Sequence, residues 1–470
     1  PPPLLFRAMS WPTLPPRREL RSLIRLALPI VTVQVGLMFM GVVDTLMVGR
    51  VSAAALAAVA LGNLYFFFIA IFGMGTLFGL DPIVAQAVGA RDEHAIARAV
   101  QRGGILALVL TVILMVPLLL VEPLIVLLRQ PPDVVPLAAG YVHAATPGIL
   151  AFFAFVVLRQ TLQAMDRVRP IVVAIIAANL VNVALNWILV FGRFGFPALG
   201  PIGTGWASTV SRWTMLVVLA TLTLGRLRPY LVPAGPVIFQ PRPLWRMVRL
   251  GAPIGAQLQL EMGAFAAVAI FMGWLGTAEM AGHQVAINLA SLTFMVPVGI
   301  AQAGAVRVGQ AVGRDDAPGA RAAVTSALLA GAGFMVFTGL LFLAFPGPLT
   351  ALYTGEPAVV AVATALIPIA GVFQVFDGLQ AVAAGLLRGI ADTTAPFVAN
   401  LLAFWMVGLP LGAWLGFRTA AGPKGLWWGL VAGLALVALF LVARLRVRMR
   451  HELRRVIIDD ADEPLPAPSA

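Results

Sequence analysis

Long apolar stretches separated by short polar connections run along almost the whole chain. Twelve such stretches cover residues 23–48, 54–84, 103–121, 134–158, 170–191, 203–224, 250–275, 280–306, 322–345, 358–387, 396–417 and 425–443. A helix needs about 20 mostly apolar residues to cross a bilayer. The pattern therefore predicts an all-α polytopic membrane protein with twelve transmembrane helices.

Two short motifs recur in the second half of the chain. "QAVGARD" at 86–92 returns as "QAVGRDD" at 310–316, an offset of 224 in the numbering. "QAMDRVRP" at 163–170 and "GIADTTAP" at 389–396 each place an Asp four positions before a Pro, an offset of 226. An even number of helices per half makes this a parallel repeat about an axis along the membrane normal. We expect two pseudo-symmetric lobes of six helices each.

The repeat also predicts the domain limits. The N-lobe takes residues 17–224, a Pro- and Arg-rich cytoplasmic linker takes 225–249, and the C-lobe takes 250–444. Residues 1–16 are Pro-rich and predicted to be disordered, and residues 445–470 form a cytoplasmic tail.

Composition and charge support a membrane protein and give its orientation. The chain is 60% hydrophobic and 11% charged, whereas soluble domains are about 45–50% apolar and about 25% charged. Of its 32 basic residues, 26 lie in alternate connections and at the two ends, which predicts that both termini are cytoplasmic in a bacterial-type inner (plasma) membrane. A nucleic-acid-binding surface would not alternate loop by loop, so no nucleic acid is expected as a partner. There is no cysteine, which excludes disulfides and thiolate metal sites.

Three acidic residues, Asp44, Glu261 and Asp377, lie inside apolar stretches. A charge at the centre of a membrane helix costs about 2.5–3.5 kcal/mol on insertion scales, and intramembrane acids usually mark ion or substrate paths. A purely structural pairing with a neighbouring Arg or amide is the alternative, but few basic residues lie at comparable depth. On the repeat register Asp44 falls opposite Val268 and Glu261 opposite Leu37, so each lobe is expected to hold its polar site at a different depth.

Polar and aromatic residues share helix faces with two of these acids. Gln257 and Phe265 lie four positions before and after Glu261, and Phe373 lies one turn before Asp377. A lipophilic cation needs an apolar, polarisable cavity and a counter-charge, which such a face supplies. We therefore expect these residues to line a substrate cavity.

Other candidates carry weaker signals. Asn182 and Asn186 share a helix face, where interhelical hydrogen bonding explains them as well as substrate binding does. Gln34, Gln284 and Phe294 are further candidates for the cavity wall.

Asp81 and Arg212 lie nearer helix ends and are interpreted as structural. No catalytic motif is visible, so the chain is not expected to be an enzyme and has no predicted catalytic residue.

Several stretches resemble one transporter family. "GVVDTLMVGRVSAAALAAVAL", "QAVGARD", "QAVGRDD" and "FDGLQAVAAGLLRGIADT" are similar to the multidrug and toxic compound extrusion (MATE) family, in its NorM-like branch, over nearly all of residues 20–444. The resemblance implies a cation-coupled antiporter in the lipid bilayer that exports small-molecule drugs and organic cations. It implies no cofactor beyond the coupling ion, H⁺ or Na⁺, and we expect a monomer.

The resemblance also implies roles for individual residues. Asp44 matches the first-helix acid of the N-lobe, while Glu261 and Asp377 match the cation-site acids of the C-lobe and would hold Na⁺ in a sodium-coupled protein. Asn182 and Asn186 match helix-5 positions. The predicted coupling residues are Glu261, Asp377 and Asp44, and the predicted substrate-binding residues are Asp44, Gln34, Asn182, Asn186, Gln257, Phe265, Gln284, Phe294 and Phe373. Phe373 stands where NorM-like members often have Tyr, which removes a hydroxyl ligand for Na⁺.

Two other functions remain as alternatives. A lipid-linked precursor flippase of the same superfamily should carry several basic groups in its cavity, and an intramembrane enzyme should carry a catalytic set of residues. The sequence offers Arg212 alone for the first and nothing for the second.

Overall fold

The computed structural model describes residues 15–127, 130–232 and 235–459, and these residues form helices without any strand. The N-lobe contains α1 (Arg17–Val48), α2 (Ala53–Leu77), α3 (Leu80–Ala90), α4 (Glu93–Leu119), α5 (Val121–Leu127), α6 (Val135–Ala145), α7 (Gly148–Ala164), α8 (Arg169–Phe191) and α9 (Pro201–Leu231). A 3₁₀ turn (Pro236–Phe239) leads to the C-lobe. The C-lobe contains α10 (Pro241–Leu275), α11 (Thr277–Gly313), α12 (Ala317–Ala344), α13 (Pro346–Ala351), α14 (Pro357–Gly389), α15 (Thr394–Asn400), a π-helical segment (Leu401–Gly408), α16 (Leu409–Arg418) and α17 (Pro423–Arg448).

Twelve membrane spans follow from the described helices, as predicted. Eleven of the spans are single helices or directly continuous helices that are long and apolar enough to cross a membrane. The bent pair α6 and α7 provides the twelfth span. The pair meets at 47°, in a stretch that the sequence pattern presents as one span, 134–158. Pro147 stands at the bend and lacks the backbone N–H that would continue the helix.

The helices extend beyond the apolar stretches that predict them. α1 begins at Arg17 and α10 at Pro241, so most of the predicted linker, 225–249, is helical. Hydropathy detects only the part of a helix that crosses the apolar layer, whereas the helix itself continues into arginine-bearing turns. Of the predicted terminal segments, residues 1–14 and 460–470 lie outside the described residues, and the domain limits stay a prediction.

One end of the bundle gathers the arginine-bearing turns of both lobes. Side-chain hydrogen bonds there join Glu19 to Arg307, Tyr230 to Glu93, and Arg455 to Asp92. These contacts bring together the starts of α1 and α4, the ends of α9 and α11, and the segment after α17. We call this the arginine-rich end.

Contacts between the lobes follow the repeat. Gly75 of α2 packs against Gly255 of α10 and, at the repeat-related positions, Gly299 of α11 packs against Val31 of α1. A Cβ at any of these three glycines would come within 2.5 Å of the opposite helix. Glycine is therefore required here for the close approach of the two lobes.

Two glutamines of the repeated motif cross between the lobes. The side chain of Gln86 donates to the carbonyl of Gly389 (3.0 Å), and Gln310 donates to the carbonyl of Ala164 (2.9 Å). The two acceptors differ by 225 in the numbering, and left-handed backbone at Asp166 and Ala391 has the same offset. Asp166 is therefore structurally equivalent to Ala391 and not to Asp392. The Asp–Pro match, with its offset of 226, is out of structural register by one position.

The segment after α17 ties the two lobes together at the arginine-rich end. The amide of Val456 donates to Gln86 (2.8 Å), and Arg246 donates to the carbonyl of Ile458 (2.6 Å). Asp459 forms ion pairs with Arg98 (3.1 Å) and with Arg102 of α4. The chain thus crosses from the last C-lobe helix to the N-lobe.

Candidate functional site

The N-lobe acid accepts hydrogen bonds at both of its carboxylate oxygens. Asn182 and Asn186, one turn apart on α8, donate to one carboxylate oxygen of Asp44 at 3.1 and 2.7 Å. Ser208 of α9 donates to the other oxygen at 2.7 Å. All four residues are buried. The helix periodicity that puts the two asparagines on one face therefore aims both amides at Asp44.

A buried arginine adds a positive charge near this network without forming an ion pair with Asp44. The guanidinium of Arg212 lies 4.2 Å from the ring centroid of Phe66 and donates to the carbonyl of Ala145 (3.2 Å). Its positive charge acts on Asp44. The N-lobe acid is thus held by three donors and one counter-charge, and the network joins α1, α8 and α9.

The C-lobe acid faces a cavity. This C-lobe cavity has a volume of about 370 Å³ and is lined by Gln257, Glu261 and Phe265 of α10 and by Phe294 of α11. Phe78, between α2 and α3, closes one side from the N-lobe. Most of the remaining wall is aliphatic, so the carboxylate of Glu261 faces a largely apolar cavity.

The second C-lobe acid lies close to the first but lacks donors. Asp377 is buried on α14, and the negative charge of Glu261 acts on it. Its Oδ1 atom has no hydrogen-bond partner among the described residues. Gln380, one turn away, bonds to Glu261 through its side chain and leaves its own Oε1 unpartnered within the described part of the chain. Two carboxylates and an unpaired amide oxygen meet here.

Aromatic rings pack behind this pair. Phe373 lies between Phe265 and Trp427, with ring centroids 6.0 and 5.5 Å away, and is almost fully buried. It supports the cavity wall and does not line the cavity. Gln374 accepts a hydrogen bond from Thr293 (2.7 Å).

An ion pair between the lobes closes the cavity toward the arginine-rich end. Asp81 of α3 pairs with Arg388 of α14 at 2.9 Å, and Arg388 also lines the C-lobe cavity. Arg159 of α7 donates to Gln34 (3.3 Å). Both guanidiniums lie over the ring of Phe78, 5.2 Å away for Arg388 and 5.6 Å for Arg159. We call Asp81, Arg388 and Arg159 the inter-lobe seal.

The sequence-predicted residues thus divide into three groups. Asp44 with its two asparagines forms the N-lobe network, Glu261 and Asp377 with their neighbours form the C-lobe site, and Gln34 contacts the inter-lobe seal. Gln284 is exposed and donates to Asn288 (3.2 Å), apart from all three.

Sequence reasoning missed Ser208 and Arg388 as site residues. Ser208 gives no signal within a run of small residues, and Arg388 lies at a helix end, where an arginine is expected from topology alone. The described residues hold no group of three or more His, Cys, Asp or Glu side chains arranged for a metal. A monovalent cation at the C-lobe pair would therefore rely on amide oxygens besides the two carboxylates.

Comparisons with known proteins agree with this architecture. A family model described as MatE matches residues 29–188 and 253–414, two ranges whose starts follow the repeat register. The chain is 37% identical to a probable multidrug resistance protein NorM of Rhizobium meliloti, over 92% of this chain and 93% of the relative. It is 36% identical to the multidrug resistance protein NorM of Photobacterium profundum, over 92% and 96%. The crystal structure of the eukaryotic MATE transporter AtDTX14 superposes with a TM-score of 0.82 at 21% identity, covering 92% of this chain and 98% of that one.

Proposed function

Because the chain belongs to the MatE family and is a multidrug efflux transporter, we propose that it is a cation-coupled antiporter. In this proposal it exports lipophilic, mostly cationic compounds in exchange for H⁺ or Na⁺. The two lobes expose the C-lobe cavity alternately to the two sides of the membrane.

The observation that carries the proposal is the environment of the C-lobe acids. Glu261 faces the cavity, Asp377 lies close to it, and an oxygen of Asp377 has no donor among the described residues. Two ionised carboxylates close together in an apolar setting are unfavourable, and more so when one of them has an oxygen without a donor, since buried charges need partners. A proton or a sodium ion is the simplest partner, and both are supplied by the gradients that drive transport.

Ion and drug then compete for the same negative charge. When the ion neutralises the pair, the cavity keeps its apolar and aromatic walls but loses the counter-charge that attracts a cationic drug. When the ion leaves, the cavity regains that charge. Ion and drug therefore stabilise different states of the two lobes, and exchange follows from this linkage. A membrane potential of 100 mV adds about 2.3 kcal/mol for each charge moved.

Asp44 has a different role in this proposal. Its three donors and Arg212 already satisfy the charge inside the N-lobe. We infer that Asp44 organises α1, α8 and α9 and contributes a negative field to the cavity without exchanging its partner as freely as the C-lobe pair does.

In this proposal the inter-lobe seal indicates which side of the membrane the cavity is closed to in the described conformation. Asp81 and Arg388 join the lobes on the side of the cavity nearest the arginine-rich end. Positive residues favour the cytoplasmic side, so in this proposal the seal closes the cytoplasmic access and the state is outward-facing.

Reporter fusions test this orientation in the membrane. Fusions after Arg242 and Arg450 should read cytoplasmic, and a fusion after Lys424 should read periplasmic.

A lipid-linked precursor flippase is less well supported. Such a substrate carries a pyrophosphate, which needs several free basic groups in the cavity. Among the described residues that line the C-lobe cavity, Arg388 is the one basic residue, and Asp81 already pairs with it.

Transport of ethidium in proteoliposomes tests the proposal. We expect ethidium to move against its gradient when a pH or Na⁺ gradient is imposed, and the ion that drives it is the coupling ion. The Glu261→Gln variant should bind ethidium more weakly, through the apolar and aromatic walls, and transport none against its gradient. Asp133→Asn makes a matched change at an exposed acid and should behave as wild type. Uphill transport by Glu261→Gln equal to wild type would contradict the proposal.

A further inference from the structure

A cavity at the arginine-rich end is distinct from the transport site. It has a volume of about 640 Å³ and lies among the start of α1, the α7–α8 connection and the end of α9. Five arginines line it: Arg25, Arg167, Arg169, Arg226 and Arg307. We call this the arginine pocket.

Most of the charge in the arginine pocket is not neutralised by the described residues. Arg307 pairs with Glu19 at 2.6 Å, but the other four arginines have no ion pair or side-chain hydrogen bond among the described residues. Asp166, the acid in the described lining, accepts a hydrogen bond from Gln310 (3.1 Å). The α8 helix begins at the pocket with Val168 as its N-cap, which offers no side-chain acceptor to the first amides. Unpaired guanidiniums and an uncapped helix start both favour an anion.

The corresponding corner of the C-lobe has a different charge balance. There Asp392 pairs with Arg444 at 2.9 Å and with Arg448 at 3.3 Å, so the arginines of α17 have an internal acid. In the N-lobe the Asp of the repeated motif stands one structural position earlier and contacts Gln310 instead. The shift by one position leaves the N-lobe arginines without their acid, and an external anion can take its place.

The surroundings of the pocket point to a lipid. Leu26 and Pro29 form part of its wall. The helices that supply the arginines continue inward with exposed apolar side chains, Leu28 of α1 (66% exposed), Val173 of α8 (50%) and Leu222 of α9 (53%). A soluble phosphate would use the arginines alone, whereas an acyl chain would also cover these side chains. We propose that the arginine pocket binds the phosphate headgroup of an anionic phospholipid, a chemistry for which basic pockets between transmembrane helices are suited.

This site has a consequence for the two lobes. Four of its arginines belong to the N-lobe, but Arg307 belongs to α11 of the C-lobe. A headgroup that contacts both sides favours the state in which the arginine-rich end is closed, because a ligand stabilises the state that it binds better.

The test uses the full-length purified chain in neutral detergent and native mass spectrometry. The probes are dioleoylphosphatidylglycerol, the zwitterionic dioleoylphosphatidylcholine and sodium phosphate. Arg25→Gln/Arg169→Gln/Arg226→Gln removes three pocket charges, and Arg91→Gln/Arg446→Gln/Arg450→Gln removes three exposed charges elsewhere at the same end. We expect wild type to prefer phosphatidylglycerol, the pocket variant to bind it roughly 100-fold more weakly, and the control variant to bind it within a few-fold of wild type.

Each remaining outcome decides the proposal. Equal weakening in both triple variants would show general charge attraction and overturn it, as would unchanged binding in the pocket variant. Displacement of phosphatidylglycerol by equimolar sodium phosphate would identify a soluble anion as the ligand and overturn the lipid assignment. If the pocket variant does not fold, the single variant Arg169→Gln should weaken binding about fivefold and Arg169→Lys should restore it. Failure of that rescue pattern would also overturn the proposal.

Discussion

The acids of the two lobes are set in opposite environments. Asp44 in the N-lobe accepts three hydrogen bonds and lies near Arg212. In the C-lobe, Asp377 lies near a second carboxylate, Glu261, and one of its oxygens has no donor among the described residues. Both lobes come from one repeated helical design, so the difference arises from side chains and not from the fold.

That difference separates two uses of a buried carboxylate. A carboxylate with a full set of donors has its charge stabilised locally, and removing the charge leaves donors without an acceptor. A carboxylate without donors depends on a partner from outside the protein. The C-lobe acids are therefore suited to exchange an ion, and the N-lobe acid is suited to hold helices together.

Gradient-driven efflux should respond most strongly to changes in the C-lobe pair. Asp377→Asn and Glu261→Gln keep size and hydrogen-bonding capacity but remove the charge that, in the proposed cycle, the coupling ion neutralises. Both variants should insert into the membrane and keep a weaker binding of drug, yet lose ethidium efflux almost completely. Efflux is measured in cells and normalised to membrane protein level, with Asp133→Asn as control. Efflux near wild type in Asp377→Asn would show that the C-lobe acid has only a packing role.

The next effect concerns the inter-lobe seal. Arg388→Gln removes the ion-pair partner of Asp81 and leaves Arg159 as the nearest positive charge that acts on it. Breaking a buried ion pair costs about 3–5 kcal/mol, and the attraction between Asp81 and Arg159 offsets part of this cost. We expect the closed state at the arginine-rich end to lose population by about tenfold or more. The chain has no cysteine, so a single Thr76→Cys, at the buried contact with Gly255, reports opening through its rate of labelling by a thiol reagent. An unchanged labelling rate would show that the ion pair does not hold this end closed.

Stability should distinguish the two acids directly. Asp44→Asn removes the charge to which Asn182, Asn186 and Ser208 donate, and hydrogen bonds to a charged group contribute about 1.5–3 kcal/mol. Asp377→Asn removes a charge that has too few donors, so it should leave stability unchanged or raise it. Thermal unfolding in detergent should show a lower melting temperature for Asp44→Asn only. An equal decrease in melting temperature in both variants would contradict the distinction between the acids of the two lobes.

A smaller effect should follow from adding a donor to the C-lobe site. Phe373→Tyr places a hydroxyl one helical turn from Asp377, on the same face of α14. One hydrogen bond of about 0.5–1.5 kcal/mol corresponds to a change of roughly twofold to tenfold in apparent ion affinity. The measurement is the Na⁺ concentration and the pH at half-maximal ethidium transport. Identical values for wild type and Phe373→Tyr would indicate that this position does not reach the ion.

Much of this structure can be predicted from the sequence because membrane helices follow from hydropathy alone. The twelve spans and the repeat offset of 224 are confirmed, whereas the Asp–Pro match at an offset of 226 is out of register by one position. The family resemblance is confirmed by the MatE match. The bend between α6 and α7 is missed, since the apolar stretch continues across Pro147. Helix ends are underestimated, because arginine-bearing turns lie outside the apolar layer.

The sites were less predictable than the fold. Helix periodicity predicts that Asn182 and Asn186 share one face of α8. It does not predict that Asp44 of α1 is the acid to which both of them donate. Arg388 looked like an ordinary positive-inside residue, and only the packing of α14 against α3 shows that it pairs with Asp81. Contacts between distant helices depend on three-dimensional packing, which a pattern along one helix does not contain.

Ion release on drug binding is the decisive experiment for the coupling role of the C-lobe pair. Ethidium is added to purified wild-type protein in weakly buffered solution, and released protons and displaced Na⁺ are measured alongside ethidium binding. We expect wild type to release a coupling ion as it binds ethidium. The variant Glu261→Gln/Asp377→Asn should bind ethidium more weakly, through the apolar and aromatic walls alone, and release no ion at matched occupancy. Equal release from wild type and from this double variant would contradict the assignment of the C-lobe pair as the site where ion and drug compete.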